Sequence, residues 1–348
     1  MGKVVRRDTG KYNLFMNTTD NDPFAYRSQG GQFEVGSDET DTMSAFIKVD
    51  DQLMCITRKN IRTVLMADTI DPQRTNPNID HNVQHVLPYG SDNEFVGRTF
   101  QQASLLFKEH ALPKSIDCIK GVSISFSFLK ELTALEKLKN EYAAEERNIT
   151  STVPLQGSNP QIPGLPNLEQ RVKNFIMNAD RAKGLILDLV ILFYSDVKPQ
   201  KNDLLWEDKF LQKIAAVTNQ QDFVNFITNF KQYTQTLREL SNWCRHPHDQ
   251  KYSISIENYK LSPENILDVP SISFSSGTCT LPKMRVAAFI DSTTFNLLTI
   301  FELLTAYLCN LHAEPFAGDK RVVVSVPADK RKGSEKHVGF QYQILWTK

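Results

Sequence analysis

The residues best suited to chemistry are concentrated in one short segment, Leu237–Asp249, whose sequence is LRELSNWCRHPHD. This segment holds two of the seven histidines, together with two arginines, an asparagine and a tryptophan. An arginine presents a planar set of donors that suits phosphate, and a histidine titrates near neutral pH and exchanges protons with hydroxyl groups. These residue types predict chemistry on phosphodiesters, with metal-independent RNA cleavage as the first candidate.

The spacing places the polar residues of this segment on one side of a helix. Apolar residues recur every three or four positions from Gln221 to Arg245, which predicts a helix over that range. Steps of four and three residues then put Arg238, Asn242 and Arg245 on one stripe, and His246 follows where the helix ends. We therefore expect a polar stripe beside the apolar one, with an imidazole at its end.

The same residues resemble the motif of the HEPN superfamily, whose members are helical bundles with an arginine, often followed by asparagine, and a histidine a few residues further on near a helix end. The resemblance rests on Arg238, Asn242, Arg245 and His246 and on the order of the helices. It implies a metal-independent endoribonuclease or a toxin-type effector of antiviral defence. It also implies a homodimer in which two copies of the motif face each other.

The resemblance implies roles for Arg238 and His246, and the residue type suggests one for Asn242. Arg238 is expected to bind phosphate, Asn242 to orient the backbone or the imidazole, and His246 to act as the acid and base. The residues predicted to contact phosphate or RNA are Arg245, His248, Lys330, Arg331 and Lys332, of which the last three lie at a basic hairpin tip. No metal and no cofactor are expected.

Two departures from the family's pattern leave an alternative function open. Seven residues separate Arg238 from His246, and Ser241 stands where an arginine would precede Asn242. These departures favour a non-catalytic HEPN-like scaffold that binds RNA, nucleotide or a protein partner encoded nearby. An unrelated structural or regulatory protein is the third hypothesis.

Two simpler explanations also apply to this segment. Arginine and histidine at a helix C-terminus complement the helix dipole and bind its free carbonyl groups, so Arg245 and His246 are suited to act as caps alone. Alternate residues in an extended stretch share a side, so Cys244, His246, His248 and Asp249 form a candidate metal site, although the sequence marks no second ligand pair.

Composition excludes several other classes of protein. The chain has 40 Lys+Arg and 40 Asp+Glu, so it lacks the basic field typical of proteins that coat DNA or bind membrane surfaces. It contains no Walker A loop, dinucleotide-binding turn, nucleophile elbow or zincin motif. Five dispersed cysteines without a C-x-x-C pair indicate a reducing compartment. We expect a cytoplasmic protein without a membrane partner.

The elements that must position the motif are mainly helical. Periodicity predicts helices near 94–106, 127–146, 168–193, 203–217, 221–245 and 292–312. Strands are predicted at 43–49, 53–57, 252–256, 271–274, 284–289, 322–326 and 337–346, while residues 1–40 and 68–93 are expected to form loops. The fold class is therefore α+β, mainly α: a bundle of five or six helices with a small N-terminal β-region and C-terminal β-hairpins.

The predicted domain organisation follows these elements. Residues 1–93 form an arm, a small β-region and a long loop, residues 94–312 form the HEPN-like bundle with a β insertion at about 252–289, and residues 313–348 form a C-terminal hairpin. The proline-rich stretch 150–166 suggests the alternative of two separable domains.

Overall fold

A computed structural model describes residues 3–6, 11–15, 32–34, 40–79, 82–152, 161–197, 212–216, 221–264 and 266–346. These residues form an α+β fold that is mainly α, which confirms the predicted class. The chain divides into two compact units, Met1–Phe126 with Thr305–Lys348 and Ser127–Leu304. Both unit boundaries in the sequence fall inside long helices.

A four-stranded antiparallel sheet dominates the first part of the unit that contains both termini. Its strands are β4 (Met43–Val49), β5 (Gln52–Thr57), β6 (Ile61–Leu65) and β7 (Asn82–Leu87), in sequential order. Asp50 adopts a positive φ of 50° in the tight turn between β4 and β5, a conformation that aspartate tolerates, and the predicted hairpin at this turn is confirmed.

The prediction that residues 68–93 form one continuous loop was wrong. A short helix α1 (Ala67–Ile70) and strand β7 occupy part of residues 68–93. Strand β7 has the sequence NVQHVL, whose polar residues are exposed at an edge of the sheet, so hydrophobic alternation is weak there. The loop predicted at the N-terminus also contains strands β1 (Lys3–Arg6), β2 (Lys11–Phe15) and β3 (Gln32–Glu34), which form a three-stranded sheet.

A hydrogen-bonded glutamine joins a helix to the C-terminal hairpin in the same unit. A π-helical segment (Val96–Gln101) continues into α2 (Gln102–Leu106), and the hairpin consists of β13 (Lys320–Ser325) and β14 (Phe340–Leu345). The buried Gln102 side chain accepts hydrogen bonds from the backbone N–H groups of Gly339 and Phe340, each at 2.8 Å, and donates to the Phe340 carbonyl at 2.7 Å. One amide therefore satisfies three backbone groups of the hairpin.

Within the described residues, four long helices form the bundle. They are α3 (Cys118–Thr152), α4 (Leu168–Phe193), α5 (Gln221–Arg245) and α6 (Val286–Leu311). The bounds of α4 and α5 are those that apolar periodicity predicted, because both helices bury a continuous apolar face. Within Ser127–Leu304, Phe128 and Phe301 stack with ring centroids 4.0 Å apart. Of the helix predicted at 203–217, residues 212–216 are helical and the rest lies outside the described residues.

A small sheet lies between α5 and α6 in the sequence. It contains β8 (Ser253–Glu257), β11 (Ser271–Ser275) and β12 (Thr280–Arg285), with β11 in the centre, and β9 (Lys260–Leu261) pairs with β10 (Leu267–Asp268) beside it. The strand predicted at 284–289 was placed too late, because β12 ends at Arg285 and α6 begins at Val286. The run MRVAAF at this junction resembles the alternation of a strand, so the sequence pattern does not indicate where the helix begins.

Among the described residues, one helix is long and apolar enough to span a membrane by length and composition. This helix is α6, and 61% of its most apolar window is buried inside the protein. A core helix of a globular protein meets the same criteria.

Candidate functional site

The candidate site lies at the C-terminal end of α5, which stops at Arg245 as predicted. The backbone N–H of His246 donates to the carbonyl oxygens of Asn242 at 2.9 Å and Trp243 at 3.1 Å, so His246 closes the last turn. Helical geometry places Arg238, Asn242 and Arg245 on one stripe. The predicted stripe with a terminal histidine is therefore present in the fold.

The side chains of this stripe differ in exposure along the helix. Arg238 and Asn242 are half-buried, whereas Arg245, His246 and His248 are exposed. Within the described part of the chain, the Arg238 guanidinium and the His246 imidazole make no hydrogen bond or ion pair. His246 is thus not buried against the core, and its ring is accessible to a ligand.

Arg245 takes part in a charge cluster that sequence analysis did not identify. Its Nη2 atom lies 2.8 Å from Oδ2 of Asp180 on α4, and the buried Ser241 hydroxyl donates to the same oxygen at 2.7 Å. Nζ of Lys183 lies 2.5 Å from Oδ1 of Asp180. The Asp180 and Lys183 side chains are 14% and 6% exposed, so this ion pair is nearly enclosed by protein.

The cluster keeps Asp180 ionised. Burial alone raises the pKa of the Asp180 carboxyl group, but the Lys183 ammonium, the Ser241 hydroxyl and the Arg245 guanidinium lower it by more, so the pKa lies below the ordinary value. Arg245 is the half-exposed member of this cluster, so its positive charge faces solvent. The sequence signal for this cluster was an Asp and a Lys three residues apart beside the buried face of α4.

A second interaction between α4 and α5 involves a cation above an aromatic ring. Nζ of Lys173 lies 4.8 Å from the centroid of the Trp243 ring and pairs with Glu169 at 2.6 Å. Trp243 is only 4% exposed, so it serves the packing of the two helices rather than the stacking of a base.

The alternative of a metal site at the end of α5 does not fit the geometry. In the described ranges, no group of three or more His, Cys, Asp or Glu side chains is arranged to hold a metal ion. Burial raises the pKa of the Cys244 thiol to about 11, so this side chain is a neutral thiol at neutral pH. Cys244, His246, His248 and Asp249 therefore do not constitute a prepared site.

We expect Cys244 to react slowly with iodoacetamide at pH 8 because only about one thiol in a thousand is ionised three pH units below its pKa. The rate should rise roughly tenfold for each pH unit up to about pH 11. Peptide mass spectrometry after timed labelling measures this rate, and the urea-unfolded protein is the control because its cysteines react as ordinary thiols. Rapid labelling of the folded protein at pH 7 would contradict the expected burial of this thiol.

The basic residues predicted to contact RNA lie in the other compact unit, in the connection between β13 and β14. Lys330 and Lys332 are exposed, whereas Arg331 is half-buried and its Nε donates to the Val326 carbonyl at 2.8 Å. Nearby, Nζ of Lys336 pairs with Asp92 at 2.7 Å. Lys330 and Lys332 are therefore available to a ligand, while Arg331 helps to shape the loop.

Comparisons with known proteins provide no further information on the site. No family model matches the chain, and neither the curated proteins nor the solved structures include one that matches it.

Proposed function

We propose that the protein is a metal-independent endoribonuclease of the HEPN-like type, acting as a toxin or defence effector. The observation that carries the proposal is the exposed His246 imidazole, which follows the half-buried Arg238 and Asn242 on the same helical stripe. Each step of four residues advances about 6 Å along a helix, so a guanidinium, an amide and an imidazole succeed one another along about 12 Å.

The proposed reaction is an internal transfer at one phosphodiester of RNA. The His246 imidazole removes the proton of a ribose 2′-hydroxyl, whose oxygen forms a bond to phosphorus while the bond from phosphorus to the 5′-oxygen breaks. A protonated imidazole then gives a proton to the leaving 5′-oxygen, and the products are a 2′,3′-cyclic phosphate and a 5′-hydroxyl. Arg238 and Arg245 stabilise the charge that develops on the phosphate oxygens.

This reaction needs one group that accepts a proton and one that donates it. The motif of one chain supplies one of them, His246, at an exposed helix end. We therefore propose a homodimer in which the ends of two α5 helices face each other and share the RNA backbone. Arg245, already anchored by Asp180, would contribute a fixed positive charge from each copy.

We expect His246→Ala to reduce RNA cleavage at least about a hundredfold, because loss of a positioned acid or base costs 10²–10⁴ in rate. The assay incubates purified protein with mixed RNA in excess EDTA and identifies 2′,3′-cyclic phosphate ends by mass spectrometry. Arg238→Ala should show a similar loss. His110→Ala is the matched control, since this exposed histidine lies in the other compact unit.

Two outcomes would contradict the enzyme proposal. Equal cleavage by the wild type and the His246→Ala variant would remove this residue from the mechanism, and cleavage only after addition of Mn²⁺ or Zn²⁺ would require a metal-dependent reaction.

If the protein acts as a toxin, its expression should arrest growth of the host cell, whereas expression of His246→Ala should not.

The second candidate function is a non-catalytic scaffold that binds RNA, nucleotide or a protein partner. The observation that favours it is the Asp180 carboxylate, which occupies the guanidinium of Arg245 and reduces its availability to phosphate. A scaffold would bind RNA with an affinity that falls with salt and would release no cleavage products. Electrophoretic mobility shifts in EDTA, read beside the cleavage assay, distinguish the two functions.

A further inference from the structure

An open cavity of about 330 Å³ lies between α5, β12 and the beginning of α6. This volume falls at the lower end of the range of about 300–1,000 Å³ that small-molecule sites occupy. All of its lining residues belong to one compact unit. No residue of the candidate ribonuclease site lines it.

The cavity lies on a different side of α5 from the polar stripe. Thr236 lines the cavity. Arg238 and Asn242 of the polar stripe follow Thr236 in the sequence by two and six residues. At 3.6 residues per turn these two residues are about 200° and 240° around the helix from Thr236. The cavity is therefore a separate site, and the inference drawn from it does not depend on the proposed ribonuclease activity.

The chemistry of the lining excludes a charged ligand. None of the described residues around the cavity carries a charge at neutral pH. A charged group that entered it would lose water without gaining an opposite charge, which is costly. Five of the lining residues are apolar, and we call them the floor: Leu237, Leu240, Leu281, Met284 and Phe289. A ligand that fits must be uncharged and must present an apolar face.

Three of the more exposed lining residues offer hydrogen bonds to the edge of such a ligand. The side-chain amides of Asn229, Gln232 and Asn296 line the cavity and have no side-chain partner within the described part of the chain. By contrast, the hydroxyl of Tyr233 already donates to the Thr293 carbonyl at 2.9 Å. Each free amide presents a donor and an acceptor in one plane.

We propose that this cavity binds an uncharged nucleobase, either in a free nucleoside or in single-stranded RNA. A nucleobase has apolar faces that suit the floor and an edge of donors and acceptors that suits a side-chain amide, as when a single Asn or Gln binds adenine. A sugar fits less well because hydroxyl groups on both of its faces would lie unpaired on the apolar floor. Any phosphate of the ligand must remain outside, since the lining holds no cation.

The test measures binding of adenosine, guanosine, cytidine and uridine to the full chain by titration calorimetry in EDTA. We expect saturable binding of at least one nucleoside with a Kd in the millimolar range or below. The double variant Gln232→Glu and Asn296→Asp preserves side-chain shape but removes two NH2 donor groups and adds two charges, so Kd should rise at least tenfold. Gln235→Glu is the matched control, because Gln235 is on the same helix but does not line the cavity.

A competition experiment distinguishes the two sources of the base. A short single-stranded oligonucleotide of the preferred base should displace the nucleoside if the site serves RNA, and it should fail to displace it if the site serves a free nucleoside. Either result supports a nucleobase site, because both arms start from a wild-type protein that has bound the nucleoside. The inference is overturned if no nucleoside binds, or if the double variant binds as tightly as the wild type.

Discussion

We expect Asp180→Asn to lower the free energy of unfolding by about 3–5 kcal/mol, because removing one partner of a buried ion pair is strongly destabilising. The Lys183 ammonium loses a carboxylate 2.5 Å away while its side chain stays only 6% exposed. The Ser241 hydroxyl and the Arg245 guanidinium lose the oxygen that both of them bind. Urea unfolding followed by circular dichroism measures this loss as a lower midpoint.

Glu169→Gln is the matched control for this substitution. Glu169 lies on the same helix and pairs with Lys173 at 2.6 Å, but its side chain is 62% exposed, so its loss should cost less than about 1 kcal/mol. Equal effects of the two substitutions would contradict the structural role of burial at Asp180. Arg245→Ala should have an intermediate effect because the Arg245 side chain is half exposed.

The effect of Asp180 should depend on pH with a definite sign. The folded-state pKa of this carboxyl group lies below its value in the unfolded chain, which is about 3.9. Its contribution to stability is therefore fully present above pH 4 to 5 and is lost as the pH falls through the folded-state pKa. The difference in stability between the wild type and Asp180→Asn should shrink below about pH 4.

The second large effect is expected at Gln102. Gln102→Met preserves the approximate shape of the side chain but leaves two N–H groups and one carbonyl of Gly339 and Phe340 without this partner. An unsatisfied buried group costs about 1–3 kcal/mol, so the free energy of unfolding should fall by at least about 3 kcal/mol. Hydrogen exchange of β14 should also become faster, because its attachment to α2 is weakened.

The adjacent residue provides an internal control for this prediction. Gln101 is also buried, at 4% exposed, but its Oε1 atom has no hydrogen-bond partner among the described residues. Gln101→Met therefore removes an unsatisfied acceptor, and we expect it to be neutral or slightly stabilising. A larger loss of stability at Gln101 than at Gln102 would contradict the hydrogen-bonding pattern described for the hairpin.

Local periodicity was sufficient to predict elements that bury one continuous apolar face. The helices Leu168–Phe193 and Gln221–Arg245 have the predicted bounds, and the hairpin of β13 and β14 was also predicted. Strand β7 was missed because an edge strand with exposed polar residues has little hydrophobic signal. The start of α6 was missed because MRVAAF suits a strand and a helix equally well by alternation.

The candidate site shows the same division between local and tertiary information. By itself, the sequence determined that Arg238, Asn242 and Arg245 lie on one helical stripe and that His246 ends it, because helical geometry depends only on spacing. Only the tertiary structure decided that Asp180 of α4 anchors Arg245 and that uncharged side chains from α5, β12 and α6 line an open cavity. These features depend on which faces of distant segments meet, and a pairing across 65 residues leaves no periodic pattern in the chain.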